Sequence, residues 1–322
     1  MNLKLEIPES FFQGEERSGY YVSPEMKKVW AVELDLLNEF ARVCDKYNLK
    51  WYIAYGTLLG AVRHKGFVSW DDDVDIMMMR SDYERLCEIS EEEFQHPYYL
   101  QSPLNDVERI QDFAKLHNED TSLFEDDEYQ LLKIGEKFSY ASGIYIDIFP
   151  LYDIPDDDRT FMKIYKKATF LKWAERKVRG LSDKYYHTSP KKWKRILKAL
   201  LHYVLRPLQL SKVCSKIFHL YMNTISSYVY PQSKRVADFW PILVPGYLQR
   251  MGLPRSYFAQ TTYLSFEMLN LPAPSCYEEL LHQWFGEWQT PKKTHVHGKF
   301  YDTERSYKYY LENGLLLEAS KL

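Results

Sequence analysis

The sequence predicts a mixed α/β fold (α+β) in which helices flank a mixed sheet and a basic helical segment interrupts the chain. Three observations support this fold class: an apolar repeat at helical spacing near the N-terminus, short strand-like runs after it, and a lysine-rich stretch beyond the middle. Of the 322 residues, 45% are hydrophobic and 27% are charged, which is an ordinary globular composition. The chain is therefore long enough for a large core and more than one structural unit.

The first element is a helix that we expect to begin after Ser23. Serine is a favoured N-cap residue, and Pro24 suits the first helical position, which needs no N–H donor. Apolar residues then recur at spacings of three and four, at Val29, Val32, Leu36, Phe40, Val43 and Tyr47. Such a repeat forms one apolar face, so this helix should pack against a sheet.

Three strands are predicted next. Residues 51–54 form a short strand candidate, followed by a Gly56-Thr57 turn and a short helix over 58–64. Residues 73–79 predict a second strand, with Asp73 and Asp75 on one face and apolar side chains on the other. Residues 144–149 predict a third, in which Asp147 lies opposite three isoleucines.

Charge is distributed unevenly along the chain. Between Arg159 and Lys216 there are 17 lysines and arginines and only two acids, although the whole chain has a net charge of −3. We expect residues 1–158 to form a catalytic core, 159–230 a basic helical insert, and 231–322 a segment that completes the catalytic domain. Tryptophans and leucines interleave with the lysines of the insert, which favours an anionic membrane surface and not a nucleic acid as its partner.

The stretch SWDDDVDI places four carboxylates within five residues, and three interpretations compete. A calcium-binding EF-hand loop fails because Ile76 stands where glycine is required and Asp82 where glutamate is required. Short runs of charged residues usually form solvated turns, but this interpretation does not explain the alternation of acidic and apolar residues. A divalent-metal site does, since Asp73 and Asp75 would share a cation with an acid from another strand.

A phosphate-binding element is predicted beside these acids. A glycine turn that opens a helix, here Gly56-Thr57, lets backbone N–H groups approach phosphate oxygens. Arg63 and Lys65 add cations between this turn and the acids. Lys115 has apolar neighbours and could reach the site from a strand, but a solvated lysine is the expectation. No role is assigned to it or to three histidines, His64, His295 and His297.

The order of these motifs resembles the nucleotidyltransferase superfamily and, more closely, the LicD family, which includes the fukutin-related proteins. The resemblance rests on YGTLLGAVRHKGFVSWDDDVDIMMMRSDYERL at 55–86, IYIDIFPLYDIP at 144–155 and LPAPSCYEELLHQWFGEW at 271–288. The family's usual Tyr-Gly-Asp is Phe285-Gly286-Glu287 here. The resemblance implies a nucleotidyltransferase-like fold.

The same resemblance implies a transferase that uses a CDP-linked donor, typically CDP-choline, with CDP-ribitol or others in some relatives. It would attach a phosphodiester-linked group to a glycan hydroxyl and release CMP. The acceptor would be a cell-surface glycan such as lipopolysaccharide, teichoic acid or capsule, or its lipid-linked precursor. By position, Asp71, Asp73, Asp75 and Asp147 fall on the acidic metal-binding positions for Mg²⁺ or Mn²⁺. Asp73, Asp75 and Asp147 are the expected catalytic residues.

Two other functions fit parts of the pattern. Glycosyltransferases also use Asp-x-Asp to bind a metal and a nucleotide-sugar, and a degenerate family member would bind nucleotide or glycan without turnover. The intact acidic set favours catalysis.

The four cysteines are far apart, and neither a signal peptide nor a long apolar span is visible. We therefore expect a cytoplasmic protein that docks peripherally on the inner face of the plasma membrane.

Overall fold

The structure is a computed structural model that describes most of the chain. It covers residues 3–103, 105, 111–133, 140–181, 192–205, 209–229, 233–292 and 299–314. His295 and His297, which the sequence left unassigned, lie outside the described residues.

The helices and strands are numbered in chain order. The helices are α1 Pro24–Tyr47, α2 Tyr55–His64, α3 Arg80–Glu93, α4 Asp126–Lys133, α5 Asp158–Arg179, α6 Lys192–Leu205, α7 Leu210–Ser226, α8 Tyr277–Phe285 and α9 Tyr307–Asn313. The strands are β1 Glu15–Arg17, β2 Tyr20–Val22, β3 Trp51–Ile53, β4 Asp75–Met79, β5 Tyr98–Gln101, β6 Ala114–Asn118, β7 Ser122–Phe124, β8 Ile144–Ile154, β9 Arg235–Ala237, β10 Leu253–Pro254, β11 Thr261–Phe266, β12 Leu269–Pro274 and β13 Phe300–Asp302.

A mixed sheet forms the centre of the described structure. Its first part has the order β3-β4-β8-β6-β5, and β9 and β10 continue it beside the last residues of β8. Strands β4 and β8 are parallel, and the other pairs in this sheet are antiparallel. With helices flanking it, this sheet confirms the predicted mixed fold class.

Helix α1 confirms the helix predicted from Ser23. The Ser23 hydroxyl accepts a hydrogen bond from the Met26 backbone N–H at 3.1 Å, and Asn48, in the left-handed conformation, ends the helix. The buried face of α1 carries Trp30 and Leu34 and packs near β6 and β8. This face and three isoleucines of β8, Ile144, Ile146 and Ile148, belong to the main apolar core.

Strand β4 begins at Asp75, so the prediction that a strand starts at Asp73 is wrong. Its neighbour β3 pairs only as far as Ile53, opposite Ile76, and the next residue, Ala54, donates its N–H to the Asp75 carbonyl at 2.9 Å. The chain then enters α2, which leaves no strand of this hairpin beside Asp73. The alternation of strand faces therefore applies only from Asp75 onward.

The predicted basic insert contains α5, α6 and α7. Helices α5 and α7 pack together in a second apolar core that includes Phe161, Phe218 and Tyr221 and reaches the end of β8 at Tyr152. Beyond the insert, β9 joins the central sheet and β13 pairs with β7. Segments on both sides of the insert thus share sheets, while its predicted boundaries stay predictions. No helix among the described residues is both long and apolar enough to span a membrane.

Candidate functional site

The centre of the site is a row of charged side chains across three neighbouring strands. The parallel register of β4 and β8 pairs Asp75 with Asp147, and the antiparallel register of β6 and β8 pairs Lys115 with Asp147. Residues in register point to the same face of a sheet. The Lys115 ammonium lies 2.9 Å from the Asp147 carboxylate, and the Lys115 side chain is 4% exposed. The expectation of a solvated lysine is therefore wrong: the sheet buries Lys115 against an acid.

Residues 71–73, which we call the acidic loop, lie just before this row. One carboxylate oxygen from each of Asp71, Asp72 and Asp73 lies within 4.8 Å of the other two. Backbone contacts hold the loop, since the Trp30 indole donates to the Asp71 carbonyl at 3.0 Å and the Asp71 N–H donates to the Val68 carbonyl at 2.9 Å. Trp30 of helix α1 thus holds the backbone of the acidic loop at Asp71.

Asp72 is a site residue that the sequence did not single out. Its buried carboxylate accepts a hydrogen bond from the Tyr301 hydroxyl and lies 3.3 Å from the Lys299 ammonium. Lys299 also lies 3.8 Å from Asp73. Both partners come from the C-terminal segment, and no spacing motif in the sequence links them to the acidic loop.

Repulsion and burial raise the pKa values of these acids. Burial, then Asp73 and Asp147, raises the pKa of Asp75 well above its usual range, and burial, then Asp73 and Asp72, does so for Asp71. Burial also raises the pKa of Asp147, although Lys115 opposes it. Carboxylates arranged in this way are stabilised in their ionised form by a shared cation.

Glu33 on α1 adds a further buried acid near the acidic loop. It is 0% exposed, and neither of its carboxylate oxygens has a hydrogen-bond partner among the described residues. Burial, followed by repulsion from Asp73 and Asp72, raises its pKa well above the usual range. The helical repeat alone did not mark it, because a glutamate within a helix is usually read as part of a solvated face.

Gly56 and Thr57 lie in the first turn of α2 and both contact the acidic segment. The Thr57 hydroxyl accepts a hydrogen bond from the Asp75 N–H at 2.8 Å. A Cβ atom placed on Gly56 would lie 2.3 Å from an Asp71 carboxylate oxygen, so only glycine allows this approach. The structure therefore brings the predicted Gly-Thr pair and the predicted acids together.

Arg63 and Lys65 lie at the opposite end of α2. Seven residues separate Gly56 from Arg63, which is about 10 Å along a helix. The Arg63 guanidinium donates to the Trp288 carbonyl at 3.0 Å, and Lys65 is an exposed residue that ends the helix in the left-handed conformation. The structure does not bring these two cations to the acids, and their phosphate-binding role stays a prediction. Beside them, burial and then Arg63 lower the pKa of His64 to about 4.

The donor set fits a divalent metal ion such as Mg²⁺ or Mn²⁺. Both ions prefer oxygen ligands, and the acidic loop, Asp75 and Asp147 supply several carboxylates on adjoining elements. Of the predicted ligands, Asp71 and Asp73 share the loop cluster with Asp72, while Asp75 and Asp147 share the strand row. Lys115 and Lys299 compensate part of this charge.

A cavity of about 860 Å³ lies elsewhere, at the other end of β4. Its lining includes Met79, Lys50, Arg235 and Arg255. Asp75 and Met79 are four residues apart, or about 13 Å along a strand, so this cavity is separate from the acidic site.

Comparison with known proteins points to one family. Residues 48–188 match the family model described as LicD/FKTN/FKRP, nucleotidyltransferase domain, and this range includes Asp71, Asp73, Asp75 and Asp147. The lipopolysaccharide cholinephosphotransferase LicD of Haemophilus influenzae is 24% identical over 257 residues, which cover 79% of this chain and 88% of that protein. An uncharacterized protein of Rickettsia prowazekii is 33% identical over 131 residues, or 41% of this chain and 45% of that protein. Over residues 48–188 the chain is therefore similar to the LicD family.

Proposed function

We propose that this protein is a metal-dependent phosphotransferase that moves phosphocholine from CDP-choline to a hydroxyl of a cell-surface glycan or its lipid-linked precursor. Similarity to the Haemophilus influenzae cholinephosphotransferase over most of the chain supports the reaction class. The observation that carries the proposal is the register that pairs Asp75 with Asp147 beside the acidic loop. This arrangement suits phosphoryl-group transfer, in which the protein mainly positions the reactants and stabilises charge.

Asp73, Asp75 and Asp147 would hold the metal, with Asp71 as a further ligand or support. When bound, Mg²⁺ or Mn²⁺ would neutralise negative charge on the phosphate oxygens of the donor. The raised pKa values of Asp71 and Asp75 support this assignment, because crowding without a cation disfavours their ionised forms.

The proton of the acceptor hydroxyl would pass to Asp147. The hydroxyl oxygen then forms a bond to the phosphorus that carries choline, while the bond from that phosphorus to the bridging oxygen breaks and CMP leaves with the electron pair. The Lys115 ammonium, 2.9 Å from the Asp147 carboxylate, would hold that group in place. The first turn of α2, with Gly56 and Thr57, would present N–H groups to the donor phosphates.

We also propose that the basic insert places the enzyme on an anionic membrane, where a lipid-linked acceptor would be found. Exposed apolar side chains on α5 and α6 include Phe170, Trp173, Trp193, Leu200 and Tyr203. They lie among the lysines and arginines of a segment with 17 basic residues and two acids. An apolar face with flanking cations is typical of helices that lie in a membrane interface.

The nucleotide product tests the reaction directly. Purified protein with Mg²⁺ and an acceptor glycan is supplied in turn with CDP-choline, CDP-ribitol, CDP-glycerol and a set of nucleotide-sugars, and the released nucleotide is identified by chromatography. We expect CMP from CDP-choline together with a choline-bearing acceptor. A nucleoside diphosphate released from a nucleotide-sugar, with the sugar on the acceptor, would show a glycosyltransferase and contradict the proposal.

A further inference from the structure

An aromatic row lies next to the charged row on the same face of the sheet. Phe149 follows Asp147 by two residues on β8, and Phe113 stands immediately before β6, with its ring centroid 4.6 Å from that of Phe149. Residues two apart along a strand point to the same face and lie about 7 Å apart. The aromatic row is therefore one step along the sheet from the carboxylates.

Trp240 extends this row to the surface. Its ring centroid lies 5.2 Å from that of Phe113 and 6.4 Å from that of Phe149, and Phe113 and Phe149 are 4.6 Å apart. Phe113 and Phe149 are buried, whereas Trp240 is 46% exposed. We call these three residues the aromatic wall, and Trp240 supplies its accessible ring.

A buried acid anchors the wall. The Asp238 carboxylate accepts a hydrogen bond from the backbone N–H of Trp240 at 2.8 Å and another from the Tyr55 hydroxyl at 2.6 Å. Tyr55 immediately precedes Gly56 in the first turn of α2, and its ring contacts Phe149 at 5.7 Å. The position of Trp240 is thus tied to the same turn that contacts the acidic loop.

Ring faces at this place already contact one cation. The Lys115 ammonium lies 3.1 Å from the centroid of the Tyr145 ring and 5.5 Å from that of Phe113. The negative faces of aromatic rings attract cations, and they do so more strongly where water is partly excluded. The side of the sheet that carries the carboxylates is therefore suited to positive groups.

We propose that Trp240, backed by Phe113 and Phe149, binds the quaternary ammonium of the donor and so selects choline over a polyol headgroup. The inference rests on the proposed function. A trimethylammonium group offers a positive charge and an apolar surface, and both match an aromatic ring. A ribitol or glycerol headgroup needs hydrogen-bond partners, which ring faces do not supply. The two-carbon linker of choline would carry the ammonium toward an aromatic wall that begins one strand step from the Asp147 carboxylate.

Equilibrium binding to the full chain tests the subsite. The ligands are CDP-choline, its analogues with two, one and no methyl groups on nitrogen, CDP-glycerol and CDP, each with Mg²⁺. In the wild type we expect the affinity to fall as methyl groups are removed. Trp240→Ala should weaken CDP-choline about tenfold and leave CDP unchanged, while Trp240→Phe retains most of the affinity. Tyr263→Ala, which removes an aromatic ring that is 62% exposed on β11, is the matched control and should change nothing.

Two results would overturn the subsite. One is an equal loss of CDP and CDP-choline affinity in Trp240→Ala, which would make Trp240 a platform for the base. The other is wild-type affinity that does not depend on methylation. Transfer is measured in parallel, so the two proposals can fail separately. If CDP-choline binds through Trp240 in a methyl-dependent way but no CMP forms, the subsite stands and the proposed reaction is wrong. If phosphocholine is transferred at the same rate without Trp240, the reaction stands and the subsite is wrong.

Discussion

At the scale of single residues, two lysines compensate part of the negative charge that the site concentrates around Asp147. Asp71, Asp75 and Asp147 all have raised pKa values, and burial is the largest cause for each. Lys115 compensates Asp147 directly, and Lys299 compensates Asp72 and Asp73. Although burial opposes it, these carboxylates raise the pKa of Lys299. Lys299 therefore stays charged, and together with Lys115 beside Asp147 it partly replaces the cation that the acids would share.

Replacing Lys115 should destabilise the protein, because the charge of Asp147 would lose its compensation. In Lys115→Met without metal, we expect the free energy of unfolding to fall by about 3 kcal/mol, because a buried carboxylate loses its partner. Saturating Mg²⁺ should restore part of this loss. The matched control is Lys308→Met, whose ammonium lies 3.0 Å from Glu119 but is 56% exposed, and it should cost less than about 1 kcal/mol. Chemical denaturation measures both, and equal losses in the two variants would contradict the role of Lys115.

The raised pKa values also give a pH dependence with a definite sign. An acid whose pKa in the folded state lies above its unfolded value of 3.8 holds its proton more tightly when folded, so its contribution to stability is present at low pH and is lost as pH rises. Bound metal has the opposite effect, because it stabilises the ionised carboxylates and so binds more tightly as pH rises. The increase in Tm caused by Mg²⁺ should therefore grow between about pH 5 and about pH 8.

Thermal unfolding with and without Mg²⁺ across this range measures the increase. Asp75→Asn, which lacks one of the acids whose pKa is raised well above its usual range, should show a weaker pH dependence. A wild-type Tm increase that is the same at both ends of the range would contradict the assignment of these acids as metal ligands.

Sequence reasoning found only some of these residues, and the reason is physical. Asp71, Asp73, Asp75 and Asp147 could be proposed because their motifs are local and because strand faces alternate. Lys115 looked like an ordinary surface lysine, since the sequence does not reveal that β6 lies beside β8. Its burial depends on strand order, which local patterns do not encode.

At the scale of elements, helix α2 connects the fold to the site. Its first turn contacts the acids, and its later part packs closely on the chain that follows. A Cβ atom on Gly60 would lie 2.3 Å from the Gly66 carbonyl oxygen, whereas one on Gly56 would meet the carboxylate of Asp71. Gly56 therefore allows the close approach of the Asp71 carboxylate, whereas Gly60 allows close packing of the backbone.

Alanine at these two positions should separate stability from metal binding. We expect Gly60→Ala to lower the free energy of unfolding by about 2 kcal/mol, because backbone must move to make room. Gly56→Ala should keep most of the stability, since the Asp71 side chain can rotate away, but it should weaken Mn²⁺ binding. Denaturation and Mn²⁺ titration followed by electron paramagnetic resonance measure the two effects. A Gly56→Ala variant with unchanged Mn²⁺ affinity would contradict the position of Asp71 in the site.

Local patterns predicted the elements well where one strong signal dominated. Ser23 and Pro24 marked the start of α1, and the structure confirms both positions. The start of β4 was misplaced at Asp73 because period-two alternation continues beyond the point where β3 stops pairing. Strand ends depend on partners, and the sequence does not show where a partner ends.

At the scale of the whole molecule, contacts between distant segments of the chain build the site and hold the fold around it. Tyr301 and Asp72 are 229 residues apart, and Arg17 near the N-terminus pairs with Glu267 at 2.6 Å. The nearby C-terminal strand β13 joins β7. These long-range pairings could not be read from motifs, because they depend on the path of the chain around the sheet.

The basic insert gives the molecule a surface of exposed apolar side chains among lysines and arginines. Vesicle flotation tests its proposed role in membrane docking. At low salt we expect the wild type to float with vesicles that contain anionic lipid and not with neutral ones, with less binding at high salt. Replacing Trp193 and Leu200 with serine should reduce flotation, while replacing Tyr263, which is exposed on β11, should not. Failure of the wild type to float with anionic vesicles at low salt would contradict membrane docking by this insert.

The proposed function requires the paired carboxylates of β4 and β8 for phosphocholine transfer. The most direct test is the rate of choline transfer to an acceptor glycan with Mg²⁺ and CDP-choline, measured for the wild type, Asp75→Asn, Asp147→Asn and the exposed α3 control Glu88→Gln. We expect each aspartate variant to lose on the order of a thousandfold while staying folded, and the control to keep full activity. Folded Asp75→Asn and Asp147→Asn variants with near wild-type rates would contradict the claim.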